Sequence, residues 1–368
     1  MQITSVSGLL QALVRIPSVN PHGSPGVDRP GEQACAEFVA GFLRDECGAA
    51  AELREVAPGR PNVLARFPSD APGKKRVILA PHLDTVSVGG MTIDPFGGEI
   101  RDGRVWGRGA TDTKGSMAAM LWSLRELRDR IPGLGHEVWF AGLMGEEAGQ
   151  ERARAFVKQE SGDFALIGEP TGRDIVYTHK GAFWLSLRTA GRAVHASAPQ
   201  LGQNAIYKMA DVVRCIRDEI APRLAAQSHA ILGSPTISAG TIRGGTKINI
   251  VPDSCEMEVD VRTIPGQDPR EIVHLLQKAS PGLEPSVWQS SPLNTDPGHP
   301  LVRLLLQNGS RLAGAPWFCD AAVFAEAGIP SVAAGPGFIA QAHTNDEWIA
   351  VSELDLGVQF YRAFLEAL

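Results

Sequence analysis

The sequence predicts an α/β protein: one discontinuous domain with a mostly parallel sheet flanked by helices, and a smaller module inserted into it. Three observations predict this. From about residue 60 to 177, short continuous apolar runs alternate with helical patterns, as a parallel sheet covered on both faces requires. Near His179 the strands change to alternating apolar and polar residues, the pattern of a sheet with one open face. After residue 290 the buried style resumes. The expected boundaries are therefore 1–178, 179–290 and 291–368, and a length of 368 residues suits more than one domain at roughly 150 residues each.

In chain order, the first expected element is an amphipathic helix. Leu9, Leu10, Leu13 and Val14 fall at helical spacing, and Pro17 stops it. VILA at 77–80 is a strand buried on both faces. After the glycine-rich loop GRGATDTKG, the residues Met117, Met120, Leu121, Leu124 and Leu127 give a helical stripe. VWFAGLM at 138–144 and FALIG at 164–168 are two further buried strands. FWLSLRTAG then alternates. A helix from Asn204 to about Ala226 is expected to place Ile206, Met209, Ala210, Val213 and Ile216 on one side. TISAGTIRGG and CEMEVDVRT are strands, DPREIVHLLQKA a helix and PSVWQS a last strand. That βαββαβ order, in about 110 residues, is the ferredoxin-like module. The chain closes with a helix at PLVRLLLQNG, a strand at SVAAG (331–335), and a helix whose Leu356, Phe360, Phe364 and Leu368 recur every four residues as core packing.

Composition excludes several classes of function. A net charge of −6 without a basic patch argues against a nucleic-acid partner. No apolar run reaches 18 residues, so no membrane span is expected. The N-terminal segment has neither a basic leader nor an apolar core with a cleavage site. Five scattered cysteines (Cys35, Cys47, Cys215, Cys255, Cys319), odd in number and free of CxxC spacing, fit a reducing compartment without a disulfide framework. A cytoplasmic location is expected.

The residues that carry chemistry share a placement. His82-Leu83-Asp84 follows RVILAP, Glu146-Glu147 follows EVWFAGLMG, Glu169 follows FALIG, and His343 follows SVAAGPG. Asp112 sits in GRGATDTKG. Ligands of open α/β sheets gather at the carboxyl ends of strands. Histidines and carboxylates without cysteine suit a catalytic Zn, Co or Mn site better than a structural zinc knot. Each residue also has a structural reading. His82 with Asp84 is equally a structural histidine–carboxylate pair, and Asp112 is equally a helix N-cap. Glu146-Glu147 equally suits the positive end of a helix, and Glu169 and His343 suit ordinary turns. A dinucleotide fingerprint fails, because Asp112 stands where its third glycine belongs. As a set, the residues give five ligands around one bridging carboxylate, as two metal ions about 3.5–4 Å apart need. If the glutamate pair is extended, its members face opposite ways, and one can bind metal while the other moves protons.

HLDTV, GRGATDTKGSMAAML, GLMGEEAG, IGEPT and AHTNDEW, in that order, closely resemble the M20 family of zinc-dependent peptidases and deacylases. The resemblance is nearest to the branch holding acetylornithine deacetylase and succinyl-diaminopimelate desuccinylase, and it spans nearly the whole chain. It implies that His82 and Glu169 hold one zinc, Glu147 and His343 a second, and Asp112 bridges them, with Co or Mn as substitutes. Glu146 is then the general base, and Asp84 orients His82. Glutamate at the position of Glu169 is similar to deacylases and carboxypeptidases rather than aminopeptidases. The inserted module corresponds to a lid and dimerisation domain, implying a homodimer. There His195 in GRAVHASAP matches an oxyanion-stabilising residue, while Asn249 in KINIVPD and Arg262 in VDVRTIPG match substrate contacts. The implied reaction is hydrolysis of an N-acyl amino acid, with a dipeptidase or carboxypeptidase as the alternative within the family. A non-catalytic binding relative is the alternative outside enzymology, and the complete ligand set speaks against it. Phe318-Cys319-Asp320-Ala321 departs from the Thr-Ser-Asp-like turn common among relatives.

Overall fold

The parallel strands of the larger sheet end side by side, and that single fact places the chemistry. The structure, a computed structural model, describes residues 3–21, 31–70 and 73–368. It divides into two compact units. The first comprises Met1–Tyr177, Thr295–Ala313 and Cys319–Leu368, and the second comprises Thr178–Asn294 and Gly314–Phe318.

In the first unit the strands run in the order Ala50–Ala57, Arg60–Arg66, Glu137–Gly142, Arg76–Pro81, Phe164–Gly168, Ser331–Ala333 and Ile175–His179. The central four are mutually parallel, with antiparallel strands outside them. Alternate residues Val77 and Leu79, Val138 and Phe140, and Phe164 and Leu166 enter one apolar cluster. Met117, Met120, Leu121 and Leu124 of the helix Lys114–Glu126 join it, as do Tyr361 and Phe364 of the helix Val351–Glu366. Each such leucine contributes about 1.5–3 kcal/mol by burial. Pro81 pairs with Gly168, and His82 makes a bridge to Leu143. The residues that follow these strands therefore leave the sheet along one edge.

The second unit is a four-stranded antiparallel sheet in the order Thr236–Gly244, Ser254–Thr263, Gly181–Ala190, Glu284–Ser290. That order is the ferredoxin-like one. Phe183, Leu185 and Leu187, with Cys255, Met257, Val259 and Val261, pack against Met209, Val212, Ile272 and Leu276 of two helices. The opposite face carries Trp184, Ser186, Glu258, Asp260 and Arg262 and stays open.

Three local expectations are corrected. In the helix Ala205–Cys215 the buried residues are Ala205, Met209, Val212 and Cys215, whereas Ile206 is 37% exposed and Ala210 is exposed. The small side chains of Ala205 and Cys215 let the helix close on the sheet along a stripe one position away from the bulkier one. In the last helix Leu356 is 39% exposed, while Leu354, Val358, Tyr361 and Leu365 are buried beside Phe360 and Phe364. A spacing of four overshoots the 3.6-residue turn, so a stripe of fourth residues drifts off the core face. Glu146-Glu147 is not a strand end either: the strand stops at Gly142, and Glu146–Ala148 forms a 3₁₀ turn.

Candidate metal centre

The cluster is built on backbone hydrogen bonds. Asp84, fully buried, accepts from the amides of Gly145 (2.9 Å), Glu146 (3.1 Å) and Glu147 (3.1 Å), and from Asn20 Nδ2 (2.7 Å). One carboxylate thus ties the end of one strand to the loop after its neighbour. His82 Nδ1 donates to the Asp84 carbonyl at 2.9 Å, which turns Nε2 toward Asp112 Oδ1 at 3.1 Å. Burial opposes a charge on this imidazole, but Asp112 and Asp84 outweigh burial and raise its pKa well above the ordinary value.

Asp112 does not cap the following helix. Thr113 occupies the cap position, makes no side-chain cap bond, and gives its hydroxyl to the Gly168 carbonyl at 2.5 Å. The loop before it is held by Glu347, a fully buried residue that sequence reasoning did not single out. Its Oε2 accepts from Arg108 Nη1 (2.8 Å) and the Gly109 amide (3.0 Å), and its Oε1 from the amides of Thr111 (2.9 Å) and Asp112 (3.0 Å). The only sequence signal was its place four residues after His343. Gly107 adopts φ +142°, and a Cβ there would meet Val14 Cγ1 at 2.5 Å, so position 107 admits no side chain. Just beyond, buried Lys114 donates Nζ to the carbonyls of Leu13 (3.0 Å) and Ile16 (2.8 Å), closing the end of the first helix.

With the loop fixed, the two Asp112 oxygens face different histidines. Oδ1 meets His82, and Oδ2 lies 3.2 Å from His343 Nε2, which in turn lies 3.1 Å from Glu147 Oε2. Ligand atoms of His82, Asp112 and Glu169 fall within 4.8 Å of one another, and so do those of Asp112, Glu147 and His343. The two triads share Asp112 alone. Asp112 and Glu147 raise the His343 pKa to about 10. Burial, with neighbouring acids, raises Glu146 and Glu169 well above the carboxylate range and Glu147 less far. Asp320, also missed from sequence as a member of this cluster, is 2% exposed, and burial pushes it up to about 7.

Among the described residues no lysine or arginine pairs with Asp112, Glu146, Glu147 or Glu169. Four carboxyls in one buried pocket without a partner cation are costly. Two divalent ions would offset that cost, and imidazole with carboxylate oxygen is the donor set they take. The residues fit the metal. Glu146 lies outside both triads, and among the described residues its carboxylate makes no hydrogen bond.

The remaining three sequence candidates lie in the second unit. His195 is exposed; its Nδ1 accepts from the Ser197 amide at 3.1 Å and lies 2.7 Å from Ser197 Oγ. That leaves Nε2 to carry the proton. Asn249 is also exposed and is joined to the same stretch by its carbonyl, which accepts from the Ala196 amide at 3.0 Å. Arg262 stands on the open face of the sheet with Nε donating to Asp260 Oδ1 at 2.9 Å.

Residues 177–284 match a peptidase dimerisation domain, and residues 62–176 match peptidase family M28. An acetylornithine deacetylase of Edwardsiella ictaluri is 30% identical over 95% of this chain and 94% of its own length. The M20 metallo-carboxypeptidase Sso-CP2 of Sulfolobus solfataricus superposes with a TM-score of 0.81 at 20% identity, over 99% of both chains. A dinuclear metal-binding M20 peptidase of Bacillus subtilis superposes with a TM-score of 0.71 at 14% identity, over 98% of this chain and 96% of its own.

Proposed function

The chain belongs to the M20 peptidase family of metal-dependent hydrolases, and from that premise we propose that it is a di-zinc enzyme cleaving the amide bond of an N-acyl amino acid. The observation that carries this reading is the glutamate left outside the two triads. His82 and Glu169 would hold one ion, Glu147 and His343 the other, and Asp112 both, as the shared carboxylate allows. Bound divalent ions supply Lewis-acid stabilisation of the negative charge that develops in amide hydrolysis.

The other steps belong to the chain's own side chains. Glu146, raised in pKa by burial, takes a proton from water onto a carboxylate oxygen and returns it to the leaving amine. Asp84 orients His82 through its own carbonyl and sets the turn on which Glu146 and Glu147 stand. His195, with its proton on Nε2, donates to the developing oxyanion. Arg262 has a planar fork suited to the substrate's carboxylate, and Asn249 beside His195 contacts the substrate. The match of residues 177–284 to a dimerisation domain supports a homodimer through the second unit. No helix among the described residues is long and apolar enough to cross a membrane. All five cysteines are free and buried, which suits the cytoplasm.

The likeness to a metallo-carboxypeptidase favours a second reading, a carboxypeptidase or dipeptidase. One assay separates them. The zinc-loaded protein is offered N-acetylornithine, N-succinyl-diaminopimelate, other N-acyl amino acids and dipeptides, and released amine is measured. Release from acyl amino acids supports the proposal. Release from dipeptides alone moves the assignment to the second reading, and no turnover with both metals bound rejects each.

A further inference from the structure

The turn that carries Glu146 and Glu147 is pinned at both ends by one side chain of a neighbouring strand. Asn62 lies on the strand Arg60–Arg66, whose ladder with Glu137–Gly142 ends where Val63 faces Gly142. Beyond that point the Asn62 carboxamide takes over. Its Oδ1 accepts from the Met144 amide at 3.1 Å, and its Nδ2 donates to the Arg152 carbonyl at 3.2 Å. One side chain thus brackets the segment Met144–Arg152, with Glu146 and Glu147 inside it. Asn62 is 3% exposed. Asparagine is disfavoured in strands, and a buried carboxamide is costly unless bonded, so packing alone does not account for it. A carboxamide carries its acceptor and its donor on separate atoms, and both are used here.

The bracketed backbone needs such anchors. Gln150 adopts φ +57°, a region that residues other than glycine enter under strain, and its side chain caps nothing at the helix Glu151–Gln159 that follows. Arg60 fixes the start of the same strand. It is doubly bonded to Glu32, with Nε 2.8 Å from Oε2, and both partners are buried. A Cβ on Gly145 would lie 3.7 Å from Arg60 Nη2, so this ion pair backs the turn directly.

The two acids differ in what holds them. Glu147 belongs to a triad, its Oε2 lying 3.1 Å from His343 Nε2. Glu146 lies outside both triads, and among the described residues its carboxylate makes no hydrogen bond. The backbone alone therefore places it. Asp84 holds the middle of the turn through three amides, and Asn62 holds the ends.

We propose that Asn62 is a positioning residue, which keeps the turn bearing Glu146 in the geometry that proton transfer needs. This rests on the reading of Glu146 as the general base of an amide hydrolase. Proton transfer requires hydrogen-bond reach, and misplacement by about 1 Å can cost about a hundredfold in rate.

The test is a double-mutant cycle on the zinc-loaded protein, with the acyl amino acid or dipeptide it cleaves fastest. Asn62→Ala should lower kcat about 10- to 100-fold, with KM within about twofold and two bound ions retained. In the Glu146→Gln background the same change should lower kcat by less than about twofold, because a base already removed cannot be misplaced. A merely structural role lowers kcat by one factor in both backgrounds. Equal factors overturn the proposal, as does an unchanged kcat in Asn62→Ala alone. Hydrogen exchange of the metal-free protein gives a readout without turnover. In Asn62→Ala the amides of Gly145, Glu146 and Glu147, whose own partner Asp84 is untouched, should exchange about tenfold faster, while those of Phe164–Gly168 keep their rates. Uniform acceleration, or none, refutes the bracket. If Asn62→Ala does not fold, Asn62→Asp takes its place with the same expectations, since it keeps the shape and the acceptor and removes the donor to Arg152. Full activity of Glu146→Gln, or no turnover of any substrate, ends the parent reading, and the exchange rates then decide by themselves whether Asn62 holds the turn.

Discussion

The two units hold their polar groups in opposite ways. In the first, two buried carboxylates hold the backbone around Asp112, Glu146 and Glu147: Asp84 collects four donors and Glu347 another four. In the second, His195 and Asn249 stand on exposed segments, and among the described residues the Arg262 guanidinium hydrogen-bonds to Asp260 alone. Rigid placement costs buried polar groups that must all be satisfied. Open placement costs little in stability and leaves the side chains free to meet a substrate. The difference teaches that stability and activity should respond to mutation differently in the two units.

The sharpest break should come in the first unit. Glu146→Gln should lower kcat by about three powers of ten or more, the scale of a lost general base, while bound metal measured by mass spectrometry stays at two ions. A parallel fall in metal content would instead make Glu146 a ligand. The matching change in the second unit is His195→Ala. It should cost about a hundredfold in kcat, as loss of one oxyanion donor does, with an unchanged thermal midpoint because the residue is exposed. A lowered midpoint would mean that His195 is structural.

Stability of the second unit has its own pH signature. His179 is fully buried, its Nε2 has no hydrogen-bond partner among the described residues, and burial lowers its pKa to about 4. An unfolded imidazole protonates near 6.5. Between about pH 6.5 and 4 the unfolded chain therefore binds the extra proton, so stability is full above that window and falls as pH drops through it. The loss is of order 3 kcal/mol. Denaturant melts of wild type and His179→Gln across this window should show a slope only in the former; parallel slopes would exclude this histidine as the cause. The smallest expected effect is Asp84→Asn, which should weaken metal binding to the metal-free protein by about 10- to 100-fold in calorimetry. Unchanged affinity would mean that the turn after Gly145 holds its shape without that carboxylate.

The same contrast explains what could be read from the sequence. Continuous apolar runs such as VILA and FALIG identify buried parallel strands, and their ends mark where ligands emerge, so the fold and the cluster were legible together. Glu347 and Asp320 were not recognised, because their significance lies in contacts with distant segments and their local sequence reads as an ordinary turn. Asn62 was hidden for a similar reason, since Met144 and Arg152 lie 82 and 90 residues downstream of it. Helical stripes were legible in period and not in phase, as Leu356 and Ile206 show.

Glu347 also has a consequence in time. It reaches partners 235 to 239 residues earlier in the chain, so the loop bearing Asp112 waits for a segment far downstream to arrive. Contacts between such remote segments form late, because closing a long loop comes before its reward. A growing chain that already carries His82, Asp112, Glu147 and Glu169 would still lack both His343 and the clamp, and so would not trap metal in a half-built pocket. Pulse-labelled hydrogen exchange during refolding should protect the Thr111 and Asp112 amides no earlier than the helix Val351–Glu366. Earlier protection would refute this order of assembly.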